Sequence, residues 1–279
     1  MTASSAPGPS AGPDAVRRLV LRIGIPLLAM FLLLGCKGSD PVDPDPIDST
    51  PPKALHRVLF IGNSLTYSNN LPAVIQAMAT AAGVEPFKYR MIAHGGFGLL
   101  DHWPRQETHD AIKGSEWDVV VLQQGASGFP EGRASLIEYA RRYGTEIRAA
   151  KAEPALYSVW PNKGANDYEN YFDNVTLSYK LAAEEVDGMF FPVGEAWRAA
   201  WKRDSTLEFY LPDNVHPTPA GTYLAALVMF QQLYHRSPVG LPNTLELEEP
   251  LFGTLVVPSD DALIMQQAAA EANEKFKRD

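Results

Sequence analysis

Three side chains in this sequence have the types and spacing for nucleophilic chemistry. Ser64 sits in "FIGNSLT", and Asp213 and His216 sit in "LPDNVHP". A serine hydroxyl is a poor nucleophile until a base takes its proton, and the base works best when a third group orients it. An aspartate three residues before a histidine in a loop can fold its carboxylate back onto the imidazole Nδ1. That contact fixes the tautomer and leaves Nε2 to face a serine. Each residue alone has a plainer reading. Ser64 fits a helix N-cap or turn, Asp213 a Pro-Asp-Asn turn, and His216 a loop position. The chemistry exists only if the fold joins the two segments.

The elements that must join them are visible as hydrophobic patterns. Short apolar runs occur at 57–61 "RVLFI", 87–92 "FKYRMI", 118–122 "DVVVL", 155–159 "ALYSV" and 189–193 "MFFPV". Helical periodicity lies between them and after them, at 71–82, 132–151, 168–186 and 218–235; Leu136, Tyr139, Ala140, Tyr143 and Ile147 share one face. A last segment, 259–277, opens on Ser and two acids and is also helix-like. Strands alternating with helices predict crossover units and a parallel sheet, hence an α/β fold. "RVLFI" and "VVVL" carry no polar alternation and are expected at the centre, buried on both faces. In such sheets ligands bind beyond the carboxyl ends of the strands. The segments expected at that edge are "GNSLT", "AHGGFG", "QQGASG", "WPNKG" and "GEAW". Ser64 falls in the first. His216 lies just before a helix expected to start at Thr218 as N-cap, with Pro219 in the first turn.

Together these segments resemble the SGNH (GDSL-type) hydrolases. Gly62, Asn63, Ser64 and Leu65 match that family's first block, and Asp213 and His216 match its last. The resemblance runs from residue 57 to about 235. It implies a flavodoxin-like α/β/α sandwich of three layers on a five-stranded parallel sheet. It also implies a serine ester hydrolase with a Ser64-His216-Asp213 triad and an acyl-enzyme. The Gly-x-Ser-x-Gly pentapeptide of the α/β-hydrolases is absent. The family's two middle blocks supply oxyanion donors. By resemblance these are the backbone of Ser64, Gly96 (alternative Gly95), and a side chain from the third block. There the usual Gly-x-Asn-Asp is missing, and "QQGAS" offers Gln123, with Gln124 as the alternative. Glutamine has the same NH2 donor as asparagine on a longer arm.

The rest of the sequence sets the context. Net charge is −9, with no basic block, so nucleic acid is not an expected partner. No cofactor is implied, and no His-Glu-x-x-His or similar metal spacing occurs. Cys36 is the sole cysteine, so no intrachain disulfide can form. Arg17, Arg18 and Arg22 precede an apolar run of 12 residues, 23–34. That is shorter than the ~20 residues of a spanning helix and fits a secretory signal. Leu33, Leu34, Gly35 and Cys36 resemble a bacterial lipobox, which implies lipidation of Cys36. By the same resemblance Lys37, in place of an aspartate, points to the outer membrane. The expected organisation is a signal at 1–35, a Pro/Asp-rich tether at 36–53 and one domain at 54–279. A tethered, extracytoplasmic hydrolase would remove small acyl groups, such as acetyl, from carbohydrate or similar esters. The competing expectation is a non-catalytic glycan-binding lipoprotein on the same fold. Trp103, Trp160 and Trp197 read either as sugar platforms or as packing residues. His94 and His102 read as structural or substrate-facing.

Overall fold

The computed structural model describes residues 54–247 and 253–277. The segments expected to be signal and tether, and Cys36 with them, lie outside the described residues.

Five parallel strands form the central sheet: β1 (Arg57–Gly62), β2 (Lys88–Ala93), β3 (Val119–Leu122), β4 (Glu153–Tyr157) and β5 (Met189–Phe191). Their order is β2-β1-β3-β4-β5. β1 is flanked on both sides, Val58 pairing with Tyr89 and with Val119. Val58, Leu59, Phe60 and Ile61 are accordingly fully buried. β2 is an edge strand and carries Lys88 and Arg90, which keep such an edge from pairing with another chain.

The chain leaves β1 in one direction and later returns to run β3, β4, β5 in the other. Right-handed crossovers then place helices on both faces. On one side α2 (Leu71–Ala81) packs against α8 (Pro219–Tyr234), α8 against α9 (Ser259–Lys275), and α9 against α7 (Val193–Arg203). On the other side α4 (Gln106–Lys113), α5 (Pro130–Ala149) and α6 (Tyr168–Glu185) pack in series. Two single-turn helices, α1 (Ser64–Tyr67) and α3 (Leu99–His102), sit at the ends of β1 and β2. Residues 221–230 of α8 are all buried. This helix is walled in by α2, α7 and α9, which is why it reads as apolar all round.

The three-layer α/β sandwich expected from the sequence is therefore present. One expectation needs correction, and one element is additional. The fifth apolar run stops at Phe191, and Pro192 caps α7 directly. "GEAW" is thus the first turn of a buried helix and not a site loop. An antiparallel hairpin, β6 (Thr244–Glu246) with β7 (Thr254–Val256), follows α8 and was not foreseen. The last helix docks firmly. Lys275 of α9 reaches the buried Glu195 of α7 at 3.1 Å, where Arg198 and Thr176 also bond the carboxylate at 2.9 and 3.0 Å.

Candidate active site

The nucleophile candidate is placed by a tight strand-to-helix turn. β1 ends at Gly62, Asn63 follows in extended backbone, and its Oδ1 accepts the Leu65 N–H at 3.0 Å. This side-chain cap starts α1 with Ser64 as its first residue. Gly62 is required by close approach. A Cβ there would lie 2.5 Å from both Gln123 Oε1 and Thr66 Oγ1.

The base candidate arrives on the loop before α8. His216 Nε2 is 2.8 Å from Ser64 Oγ, and His216 Nδ1 is 2.7 Å from Asp213 Oδ2. Asp213 Oδ1 accepts the backbone N–H groups of Val215 and His216, each at 2.9 Å. The His216 N–H, its ring and the Val215 N–H together push the Asp213 carboxyl down to about 2. An ionised Asp213 can only accept, so Nδ1 carries the proton. Nε2 then presents its lone pair to the Ser64 hydroxyl, which donates. The sequence-predicted Ser64, Asp213 and His216 are therefore brought together in one hydrogen-bonded line.

Leu211 and Asn69, which the sequence reading did not single out, and Trp160, which it did, hold this loop. Leu211 N–H donates to His216 O at 2.8 Å. Trp160 Nε1–H donates to Val215 O at 3.0 Å. Asn69 Nδ2–H donates to Pro217 O at 3.0 Å and to Thr222 Oγ1 at 2.8 Å, tying the serine segment to the histidine segment. Asn69 and Asn214 both have positive φ, 52° and 62°, a region that asparagine tolerates better than most residues. The "SNN" run after Ser64 was the one sequence signal for this clasp.

A cleft of about 520 Å³ opens over Ser64 and His216, lined also by Gly96, Gln124, Trp160 and Asn162. Gly96 is on its wall and Gly95 is not. Gly96 has φ 75°, so a side chain there would be strained. No group of the described residues takes the N–H of Ser64 or Gly96. The third donor requires a correction. Gln123 does not line the cleft. It is fully buried, and its two amide N–H groups are already donated to Asn63 Oδ1 at 2.9 Å and to Gln124 O at 2.6 Å. The alternative, Gln124, does line the cleft. Its Nε2 donates to Ser127 Oγ at 2.8 Å and its Oε1 accepts Leu99 N–H at 3.1 Å, leaving a second N–H.

Trp103 and Trp197 are packing residues, and Trp160 packs while also lining the cleft. Trp160 and Trp197 are buried and stacked with ring centroids 3.6 Å apart. Trp103 packs edge-on against His109 and Tyr143. Neither His94 nor His102 lines the cleft. His102 Nε2–H donates to Gly62 O at 2.8 Å, which fixes its tautomer. Burial lowers its pKa, against the pull of that carbonyl. Among the described residues, no three of His, Cys, Asp or Glu cluster as metal ligands.

No family model matches the chain, and no curated protein matches it. Solved structures do. A Slackia heliotrinireducens protein assigned to the SGNH hydrolases is 27% identical, with TM-score 0.54, over 63% of this chain and 98% of that one. A DUF4886 family protein from Bacteroides uniformis is 19% identical, with TM-score 0.61, over 80% and 96%. A variant of an acetyl xylan esterase from Geobacillus stearothermophilus is 17% identical, with TM-score 0.52, over 64% and 95%. The last two likenesses are of fold alone. The chain thus carries a five-stranded parallel α/β fold shared with SGNH hydrolases and acetyl xylan esterases.

Proposed function

We propose that this protein is a serine ester hydrolase that removes small acyl groups, acetyl above all, from carbohydrate or similar esters. The observation that carries the reading is the 2.8 Å and 2.7 Å line from Ser64 Oγ through His216 to Asp213 at the mouth of the cleft. Ser64 attacks the ester carbonyl while His216 Nε2 takes its proton. Asp213 holds the tautomer and stabilises the imidazolium. The oxyanion is met by the Ser64 and Gly96 N–H groups, with the remaining Gln124 amide N–H as third donor. His216 then protonates the leaving alcohol, and water deacylates Ser64 by the same route. Acetyl as the acyl group is supported by the acetyl xylan esterases among the structural neighbours. A lipid-anchored place in the bacterial envelope, at the outer membrane, is supported by the lipobox at Leu33–Cys36 and by Lys37.

One assay tests both parts. The full chain, recovered in membranes, should hydrolyse p-nitrophenyl acetate. Ser64→Ala and His216→Ala should each lower kcat by about 10⁴-fold or more, and Cys36→Ser should move the activity to the soluble fraction. Wild-type turnover no faster than either variant would leave the glycan-binding reading in its place. Activity that stays in the membrane with Cys36→Ser would remove the lipid anchor.

A further inference from the structure

Gln123 occupies the place where the family resemblance puts a side-chain donor to the oxyanion. Its surroundings give it different work. It follows β3 directly, its own N–H donating to Ile61 O at 2.9 Å, so its Cα is fixed beside the end of β1. From there its amide reaches under the serine turn. Oε1 accepts Asn63 N–H at 2.9 Å and Thr66 Oγ1–H at 2.7 Å. Nε2 donates to Asn63 Oδ1 at 2.9 Å and to Gln124 O at 2.6 Å. Every donor and acceptor position of the amide is therefore used inside the protein. The orientation of the amide is also determined. Exchanging its O and N would set an NH2 against the Asn63 backbone N–H, donor against donor.

Asn63 is gripped at two points, backbone N–H and side-chain oxygen. It passes the constraint on in two directions. Its Oδ1 also caps α1 through Leu65 N–H, and its Nδ2–H donates to Phe97 O at 2.9 Å, the residue after Gly96. One chain of hydrogen bonds, buried at Leu65 N–H and part-buried at Phe97 O, thus runs from Gln123 through Asn63 to both the turn that carries Ser64 and the Gly96 loop. Asparagine at position 123 would be one methylene short of this span.

We propose that Gln123 is a positioning residue, which acts through Asn63 to set the distance between the Ser64 nucleophile and the Gly96 N–H. The inference rests on the reading of Ser64 as nucleophile. It predicts a defect in the chemical step with little change in substrate binding, because Gln123 itself is not on the cleft wall.

The test uses the full chain, with p-nitrophenyl acetate turnover and the rate of Ser64 labelling by a fluorophosphonate. Gln123→Leu leaves two buried donors, the Asn63 N–H and the Thr66 hydroxyl, without the acceptor they share, and takes one of two donors from Asn63 Oδ1. It should lower kcat and the labelling rate by about tenfold or more, with KM within about twofold. Gln123→Glu keeps the shape and the acceptor oxygen. A carboxyl this deeply buried stays protonated and restores one donor, so its activity should fall between wild type and Gln123→Leu. Because the effect passes through Asn63, the Asn63→Ala/Gln123→Leu double variant should be no slower than the worse single variant. Multiplying effects would mean that Gln123 touches the oxyanion itself, and would overturn the proposal. So would a folded Gln123→Leu with wild-type kcat, or with a loss in KM alone. If Gln123→Leu does not fold, Gln123→Glu decides by the same readouts. Absence of turnover and labelling in wild type would instead remove Ser64 as nucleophile, and this inference with it.

Discussion

The two halves of the site are held in opposite ways. On the serine side, Asn63 and Gln123 are 5% and 0% exposed, and neutral amides make the contacts over long sequence separations. On the histidine side, the side chains of His216 and Asp213 are 33% and 48% exposed, and the contacts of the Asp213 carboxylate that orient the imidazole span two or three residues. The nucleophile is thus fixed from below by buried packing, while the base is fixed by a local turn at the surface. The difference has an energetic side. An unpaired amide on the serine side has no water to turn to and costs about 1–3 kcal/mol. A lost partner on the histidine side can be replaced by solvent, so damage there should appear in catalysis more than in folding.

The largest effect that separates the halves is expected from Asp213→Asn. The amide oxygen can still accept the Val215 and His216 N–H groups. Its NH2 then faces His216 Nδ1 and forces the wrong tautomer, with the proton on Nε2 towards Ser64. Activity should fall by about 10³–10⁴-fold while the melting temperature moves little. A large drop in melting temperature would show that the histidine side is a structural element like the serine side.

A smaller effect is expected at the clasp between them. Asn69 reaches across to Pro217 O and Thr222 Oγ1 from a backbone at φ 52°. Asn69→Gly removes the side chain without forcing a Cβ into that conformation, which Asn69→Ala would do. Turnover should fall by about fivefold, the worth of roughly one hydrogen bond, with KM nearly unchanged. An unchanged turnover would mean that the two halves keep their register without the clasp.

The same contrast explains what could be read from the sequence. Contacts made within a few residues leave a spacing, so Asp213 and His216 were legible, as was Ser64 once β1 was recognised as a continuous apolar run. The sheet was legible for the same reason, since burial on both faces writes itself into "RVLFI" and "VVVL". Gln123 was named at the right strand end but given the wrong partner. Its amide and the Asn63 amide are far apart in sequence, and nothing in "QQGAS" says which glutamine turns inward. Parallel strands bring successive side chains to opposite sides, so adjacent glutamines had to divide between core and cleft. Trp160 was left open between ligand platform and packing residue because an indole suits both a sugar and a core. Its stack on Trp197 and its bond to Val215 O make it a packing residue that also forms part of the cleft wall. Helix α7 was missed because Pro192 and Gly194 look like loop residues; here proline supplies the cap, and a Cβ at Gly194 would meet Val159 O at 2.6 Å.

The gentlest probe of the contrast is pH. No group in the chain from Gln123 through Asn63 to Phe97 titrates. Asp213 does, and its carboxyl is held at about 2 against an ordinary 3.8. For a depressed carboxyl the sign is fixed. The native turn is favoured above the unfolded value, and that contribution disappears as pH falls from about 4 through about 2. Protonation discharges the oxygen that receives the Val215 and His216 N–H groups, so their bonds should weaken within that window. Amide exchange followed between pH 5 and pH 2 should therefore show protection at Val215 and His216 falling relative to Asn63, after correction for intrinsic rates. In Asp213→Asn, which has nothing to titrate, the relative fall should vanish. A parallel loss at Asn63 in the wild type would mean that acid loosens the whole edge of the sheet, and that the serine side is not independently held.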